Sequence, residues 1–129
     1  MVLSDQTTTV LDLRNQMAKF VNDRNWSQFH DPKNLAMALC AEAAELLEHF
    51  LWITPEESRL ASQEPKKLLD ISEEISDVTC LIMALCNSLN LDLSESVSKK
   101  MVKNELKYPA DLCWGKYKVD DSERLKGKS

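Results

Sequence analysis

No glycine occurs before Gly115, and the only other one is Gly127. A backbone without glycine over nearly its whole length has no Gly-rich phosphate cradle, dinucleotide fingerprint or run of primed hairpins. Each of those needs positive φ or a missing Cβ. Helices joined by polar breaks are what remains. The chain has 129 residues, which suits one domain able to bury most of an apolar core. Its 16 Lys and Arg stand against 21 Asp and Glu, for a formal net charge of -5. Neutralising polymer phosphates needs a basic surface, so a nucleic-acid polymer is not the expected partner. Divalent cations are the natural counterpart of the acidic balance.

The stretch Met1 to Thr9 is polar, with neither a basic start nor an apolar run, which predicts no secretory leader. No uncharged apolar run reaches the roughly 18 residues of a membrane helix, so no membrane partner is expected. Cys40, Cys80, Cys86 and Cys113 form no C-x-x-C, and the first three fall in apolar helical patterns. They are expected to be reduced core residues of a cytoplasmic protein.

The apolar spacing predicts a first helix over Thr7 to Phe20, where Val10, Leu11, Leu13, Met17 and Phe20 recur at helical spacing, followed by a polar break at Asn22 to Asn25. Pro32 sits where a second helix can start, and Leu35, Leu39, Ala43, Leu46 and Phe50 make a stripe within Asn34 to Trp52. Thr54-Pro55-Glu56-Glu57 opens a short helical segment that ends before Pro65. A third helix, about Lys66 to Leu89, is apolar nearly all round in its second half and must be covered on more than one side. Asp92-x-x-Glu95 reads as a capping box for a fourth helix that runs to Tyr108, where Pro109 stops it. The expectation is an all-α four-helix bundle over residues 1–109, completed by a homo-oligomeric partner, dimer or tetramer, with a loose polar tail at 110–129.

The second helix carries Glu42-Ala43-Ala44-Glu45 and the third Glu74-Ile75-Ser76-Asp77. Spacing of i, i+3 puts both members of a pair on one face. At about 100° per residue, Glu42 lies roughly 60° from Leu39 and Glu45 roughly 120°, while Glu48 points away. Glu74 lies roughly 50° from the stripe of Ile71, Val78 and Ile82, and Asp77 roughly 110°. Each helix thus offers one inward carboxylate and one at the edge. Burying carboxylates among leucines costs several kcal/mol per ion unless a countercharge is present. Between Lys33 and Lys66 the only Lys or Arg is Arg59, so a bound cation is the more economical compensation. An oxygen-only ligand set suits Mg²⁺, with Mn²⁺ as a substitute. Histidine-based metal sites are not supported, because His30 and His49 are the only histidines and neither stands three residues after a Glu.

Glu42-x-x-Glu45 followed by Glu74-x-x-Asp77 resembles the E-x-x-E…E-x-x-D signature of the all-α nucleotide pyrophosphohydrolases, the MazG-like superfamily. The segments Arg24-Asn25-Trp26-Ser27-Gln28-Phe29-His30-Asp31-Pro32-Lys33-Asn34-Leu35 and Lys100-Met101-x-x-Asn104-x-x-Lys107-Tyr108-Pro109 are similar to those of its dCTP pyrophosphatase branch. The resemblance implies a bundle of the MazG-like type. It also implies cleavage of a nucleoside triphosphate between its α and β phosphates, giving a monophosphate and pyrophosphate in nucleotide-pool housekeeping. Mg²⁺ would be held by Glu42, Glu45, Glu74 and Asp77, with Glu42 or Glu45 positioning the attacking water. Lys100, Asn104 and Tyr108, at i, i+4 and i+8, match positions that contact the triphosphate.

Trp26, His30 and Trp52 are the candidates for holding the base, since an aromatic wall stacks on a pyrimidine. Met17 and Leu81 depart from the family, whose cytosine-specific members carry His and Tyr at the matching positions. Losing two polar groups weakens strict selection of dCTP. The expected substrate is dCTP or a modified dCTP, with a broader dNTP range as one alternative. The other is a helical oligomeric interaction module without activity.

Overall fold

The computed structural model describes residues 3–116. All regular structure among them is helical: α1 (Val10–Asp23), α2 (Pro32–Glu48), α3 (Pro55–Arg59), α4 (Pro65–Ser88), α5 (Leu93–Lys107) and α6 (Ala110–Cys113). Single 3-10 turns occur at Ser27–Phe29 and Ala61–Gln63. Four helices begin at a side chain that accepts a first-turn amide: Thr9 from Asp12, Asp31 from Asn34, Thr54 from Glu57 and Asp92 from Glu95. Such caps satisfy amides that have no partner within the helix. Thr9 and Thr54 form complete capping boxes. At Asp92 only half of the expected box forms, because the Glu95 side chain pairs with Lys99 instead.

Two helices end on a left-handed asparagine. Asn25 and Asn90 take positive φ, 53° and 49°. After α1, the Trp26 N–H donates to Val21 O at 3.0 Å and the Asn25 N–H to Asn22 O at 3.0 Å. After α4, Leu91 donates to Cys86 O at 2.9 Å and Asn90 to Asn87 O at 3.3 Å. These are two Schellman motifs with asparagine in the left-handed position, the residue that tolerates it best after glycine. The first of them sets where Trp26 emerges.

The chain divides into two units, one ending at Leu91 and one starting at Asp92. In the first, α1 and α2 both pack along α4. The buried residues are Val21 of α1, Leu35 of α2, Ala61, and Ile71, Met83, Ala84 and Cys86 of α4. Leu35, 3% exposed, contributes about 2 kcal/mol by leaving water. Arg14 Nε donates to Asn87 Oδ1 at 3.0 Å and Asn87 Nδ2 donates to Arg14 O at 2.9 Å, tying α1 to the end of α4. In the second unit, Val97, Met101, Val102 and Leu106 of α5 are exposed. The Lys107 ammonium stands 5.3 Å from the Tyr108 ring centre.

Several expectations are corrected. The apolar second half of α4 meets α1 and α2 within this chain, which bury Met83, Ala84 and Cys86 but leave Cys80 and, just past the helix, Leu89 exposed. Leu68, Leu69 and Ile75 of α4 and Met37 and Leu47 of α2 are also among the exposed apolar side chains. All four cysteines are free thiols, but only Cys86 is buried; Cys40 and Cys80 are exposed. Cys40 lies on the outer side of α2, where helical periodicity alone does not separate two apolar stripes. Helix α2 stops at Glu48, which leaves Trp52 in the following turn. Ala110–Cys113, expected to be loose, is a short helix. The rest of the expected tail, from 117 onward, lies outside the described residues. Among the described residues, no helix is long and apolar enough to cross a membrane.

Candidate active site

The i, i+3 pairs of α2 and α4 face each other because these two helices pack lengthwise. Glu42 and Glu74 are half-buried, and Glu45 and Asp77 are exposed. Carboxylate oxygens of Glu42, Glu45 and Glu74 lie within 4.8 Å of one another. Ligand oxygens around an octahedral Mg²⁺, each about 2.1 Å from the ion, stand roughly 3–4 Å apart. A small contraction therefore closes this triplet on one cation. Asp77, one turn beyond Glu74, is not part of the triplet; with Glu42 it lines an adjoining cavity.

Two buried oxygens, Glu42 Oε2 and Glu74 Oε2, have no hydrogen-bond partner. The ion pairs Lys19–Asp23, Arg59–Glu56, Lys66–Asp70 and Lys99–Glu95 use other carboxylates. Unpaired carboxylate oxygens out of water are costly unless something neutralises them, and a divalent cation does so for all three groups at once. The donor set thus fits Mg²⁺ or Mn²⁺.

Proton affinity reflects the same crowding. The Glu42 carboxyl is held above the ordinary glutamate range, first by a hydrogen bond shared with Glu45, then by burial, then by the charges of Glu45, Asp77 and Glu74. A raised folded-state value means that the proton stabilises the folded chain. That contribution is fully present below the ordinary glutamate value and is lost as pH rises through the raised one. A divalent ion competes with that proton. The melting-temperature gain from Mg²⁺ is therefore expected to be absent at acidic pH and to grow as pH rises past the Glu42 titration. Melts in Mg²⁺ and in EDTA across that range measure it; a gain that does not vary with pH contradicts it.

The adjoining cavity has a volume of about 360 Å³, at the small end of ligand sites. Met17 and Phe20 of α1, Trp26, His30, Ala38 of α2, and Cys80 and Leu81 of α4 form its walls, with Glu42 and Asp77 at one side. Trp26 meets Phe20 edge to face, with centroids 5.8 Å apart, and the Arg24 guanidinium lies 3.7 Å from the Phe20 ring centre. The backbone carbonyl of His30 accepts from Ser88 Oγ at 3.2 Å, which fastens its segment to α4. Trp26 and His30 thus share the cavity, whereas Trp52 is 90% exposed and does not line it. Lys100 is exposed on α5, and Asn104 is half-buried with its Nδ2 3.9 Å from Met101 Sδ. Tyr108 caps the helix end, its N–H donating to Asn104 O at 2.8 Å.

Sequence reasoning misses Phe20, Ala38 and Cys80 as cavity walls, since each looks like an ordinary core position. It also misses His49, whose Nε2 lies 3.7 Å from Glu74 Oε1. A signal is present: His49 follows Glu42 by seven residues and Glu45 by four, which puts all three on one face.

Comparison with known proteins bears on this arrangement. The sequence model of the MazG-like family matches residues 37–113. The chain is similar to dCTP pyrophosphatase 1 of Rattus norvegicus, 38% identical over 107 residues that cover 83% of this chain and 63% of that protein. It is also similar to dCTP pyrophosphatase 1 of Homo sapiens, 39% identical over 104 residues, 81% of this chain and 61% of that one. The chain therefore spans less than two thirds of the length of these curated relatives. The crystal structure of a pyrophosphatase from Archaeoglobus fulgidus matches it with a TM-score of 0.70 and 34% identity, over 84% of this chain and 99% of that one.

Proposed function

The chain belongs to the MazG-like family, and from that premise we propose that it is a Mg²⁺-dependent nucleoside triphosphate pyrophosphohydrolase, converting dCTP to dCMP, or a modified dCTP to its own monophosphate, with release of pyrophosphate. The observation that carries this proposal is the juxtaposition of a carboxylate triplet with an aromatic-walled cavity of about 360 Å³. A triphosphate needs its charge neutralised beside the place where its base is held, and the two halves of that requirement adjoin here.

Glu42, Glu45, Glu74 and Asp77 are assigned to hold Mg²⁺, with Mn²⁺ as a substitute. When bound, the ion neutralises phosphate charge and lowers the pKa of coordinated water. The Glu42–Glu45 pair positions the attacking water and takes its proton as the new bond to the α phosphorus forms and the bond to the bridging oxygen breaks. Trp26 and Phe20 offer a face and an edge to the base. A role for His30, Trp52, Lys100, Asn104 and Tyr108 in substrate binding rests on the family resemblance of their motifs. The enzyme is assigned to the cytoplasm, where it would act on the nucleotide pool.

A broad base range is favoured by one feature. Met17 and Leu81, the two departures from the cytosine-specific pattern, both line the cavity. Besides Glu42 and Asp77, the side chains of its lining that can hydrogen-bond are His30, the Trp26 indole N–H and the weak thiol donor of Cys80. Apolar contacts discriminate by only about 10- to 200-fold, against 10⁴ or more for a site built on hydrogen bonds. Discrimination between dCTP and dTTP is therefore expected to stay below about 200-fold. Purified protein incubated with each canonical dNTP and Mg²⁺, with pyrophosphate assayed, tests both statements. Pyrophosphate from none of them, or release undiminished in Glu45→Ala, sinks the assignment. A non-enzymatic module would instead bind a nonhydrolysable dCTP analogue equally with and without Mg²⁺ by titration calorimetry.

We also propose a homo-oligomer. Met37, Cys40, Ala44 and Leu47 form a stripe on α2 roughly 140° from the face that carries Leu35, Leu39 and Leu46. Met37 is 62% and Leu47 55% exposed. An uncharged stripe of this kind, self-complementary about a two-fold axis, suits a second copy of the same helix.

A further inference from the structure

The two oxygens of Glu74 have different surroundings. Oε1 lies 3.7 Å from His49 Nε2, while Oε2 is buried without a partner. Both side chains are mostly shielded, His49 being 27% and Glu74 22% exposed. The His49 backbone is held at the end of α2, its N–H donating to Leu46 O at 3.3 Å, so the ring projects from the same helix that carries Glu42 and Glu45.

From this we propose that His49 is a positioning residue for the carboxylate cluster. Its imidazole Nε2–H engages Glu74 Oε1 and so turns Oε2 toward Glu42 and Glu45. The inference rests on the reading of that cluster as a cation site. A carboxylate on α4 rotates freely about its last bond, and without an outside partner its two oxygens are interchangeable. A neutral imidazole suffices for the role in its Nε2–H tautomer, which presents the donor to Oε1. At 3.7 Å the pair is a small side-chain rotation short of a hydrogen bond. A histidine on α2 that holds a glutamate on α4 also fixes the spacing of the two helices at the site. Partners of this kind, one shell out from an ion, commonly change metal affinity by 10- to 100-fold.

The test is Mn²⁺ affinity of the nucleotide-free protein, read by electron paramagnetic resonance, with folding of each variant checked by circular dichroism. His49→Leu is expected to weaken Mn²⁺ binding by about tenfold or more. His49→Gln, whose amide N–H reaches about as far as Nε2–H, is expected to recover most of it. Affinity within twofold of the parent in His49→Leu overturns the proposal, as does equal loss in both variants, which would make the ring's shape rather than its N–H the cause. Glu74→Gln separates this inference from the reading beneath it. Undiminished Mn²⁺ binding in Glu74→Gln refutes the cation site itself, whereas loss there with none in His49→Leu refutes the positioning role alone.

Discussion

Glu42→Gln is expected to melt at a higher temperature than the parent in EDTA, to show little further gain with Mg²⁺, and to release pyrophosphate at least about a hundredfold more slowly. The three effects share one cause. Glu42 is half-buried, has an oxygen with no partner, and holds its proton more tightly than an ordinary glutamate, first through a hydrogen bond shared with Glu45, then through burial and the charges of Glu45, Asp77 and Glu74. Without metal, ionising it opposes folding. A glutamine keeps the shape, removes the charge, and can donate the hydrogen bond that Glu42 shares with Glu45. The same exchange takes away a ligand that an ion needs. A gain in metal-free stability at the expense of activity is the trade expected where a site is built against the interests of the fold. Melts in EDTA and in Mg²⁺, with a pyrophosphate assay, decide the matter. A variant that melts lower in EDTA yet keeps its full response to Mg²⁺ would show that Glu42 serves packing instead.

The second large effect concerns assembly. The double variant Met37→Glu, Leu47→Glu is expected to sediment as a single chain at concentrations where the parent is oligomeric. Two charges per copy, doubled across a two-fold contact, place like charges side by side in a desolvated patch, and truncating or opposing central contacts of an interface commonly costs about 2 kcal/mol or more each. Both residues face away from Leu35 and the buried side of α2, so the chain itself should still fold. Sedimentation equilibrium of parent and variant, with circular dichroism as the check on folding, measures this. A parent that is already monomeric, or a variant that assembles as the parent does, removes the stripe from consideration.

How far the amino-acid sequence discloses this arrangement depends on the kind of information each residue carries. The carboxylate pairs are legible because i, i+3 spacing is a property of the helix alone, and any helix through Glu42 and Glu45 presents both on one face. The start of α2 is legible in Pro32, and that of α3 in Thr54 and Pro55, because caps are local chemistry. The end of α2 is not, since neither glycine nor proline marks the stop after Glu48. The source of cover for α4 is not legible either. Periodicity says which faces are apolar but not what meets them, and α1 fills a side that the pattern alone would leave to another copy. Phe20 and Cys80 become cavity walls only because α1 lies against α4. His49 lies within reach of the same spacing argument as the glutamates, yet a histidine search aimed at metal ligands passes over one whose neighbour is a carboxylate of the proposed cation site.

The asparagines that end α1 and α4 bear on the unfolded chain as much as on the folded one. Glycine at Asn25 and Asn90 would adopt the left-handed turn more easily, but it would also enlarge the set of conformations the chain abandons on folding. With no glycine before Gly115, the denatured ensemble of the helical region is restricted in backbone freedom throughout. Part of the stability of this fold therefore lies in what the chain is unable to do when it is not folded, and no contact in the native structure records that part.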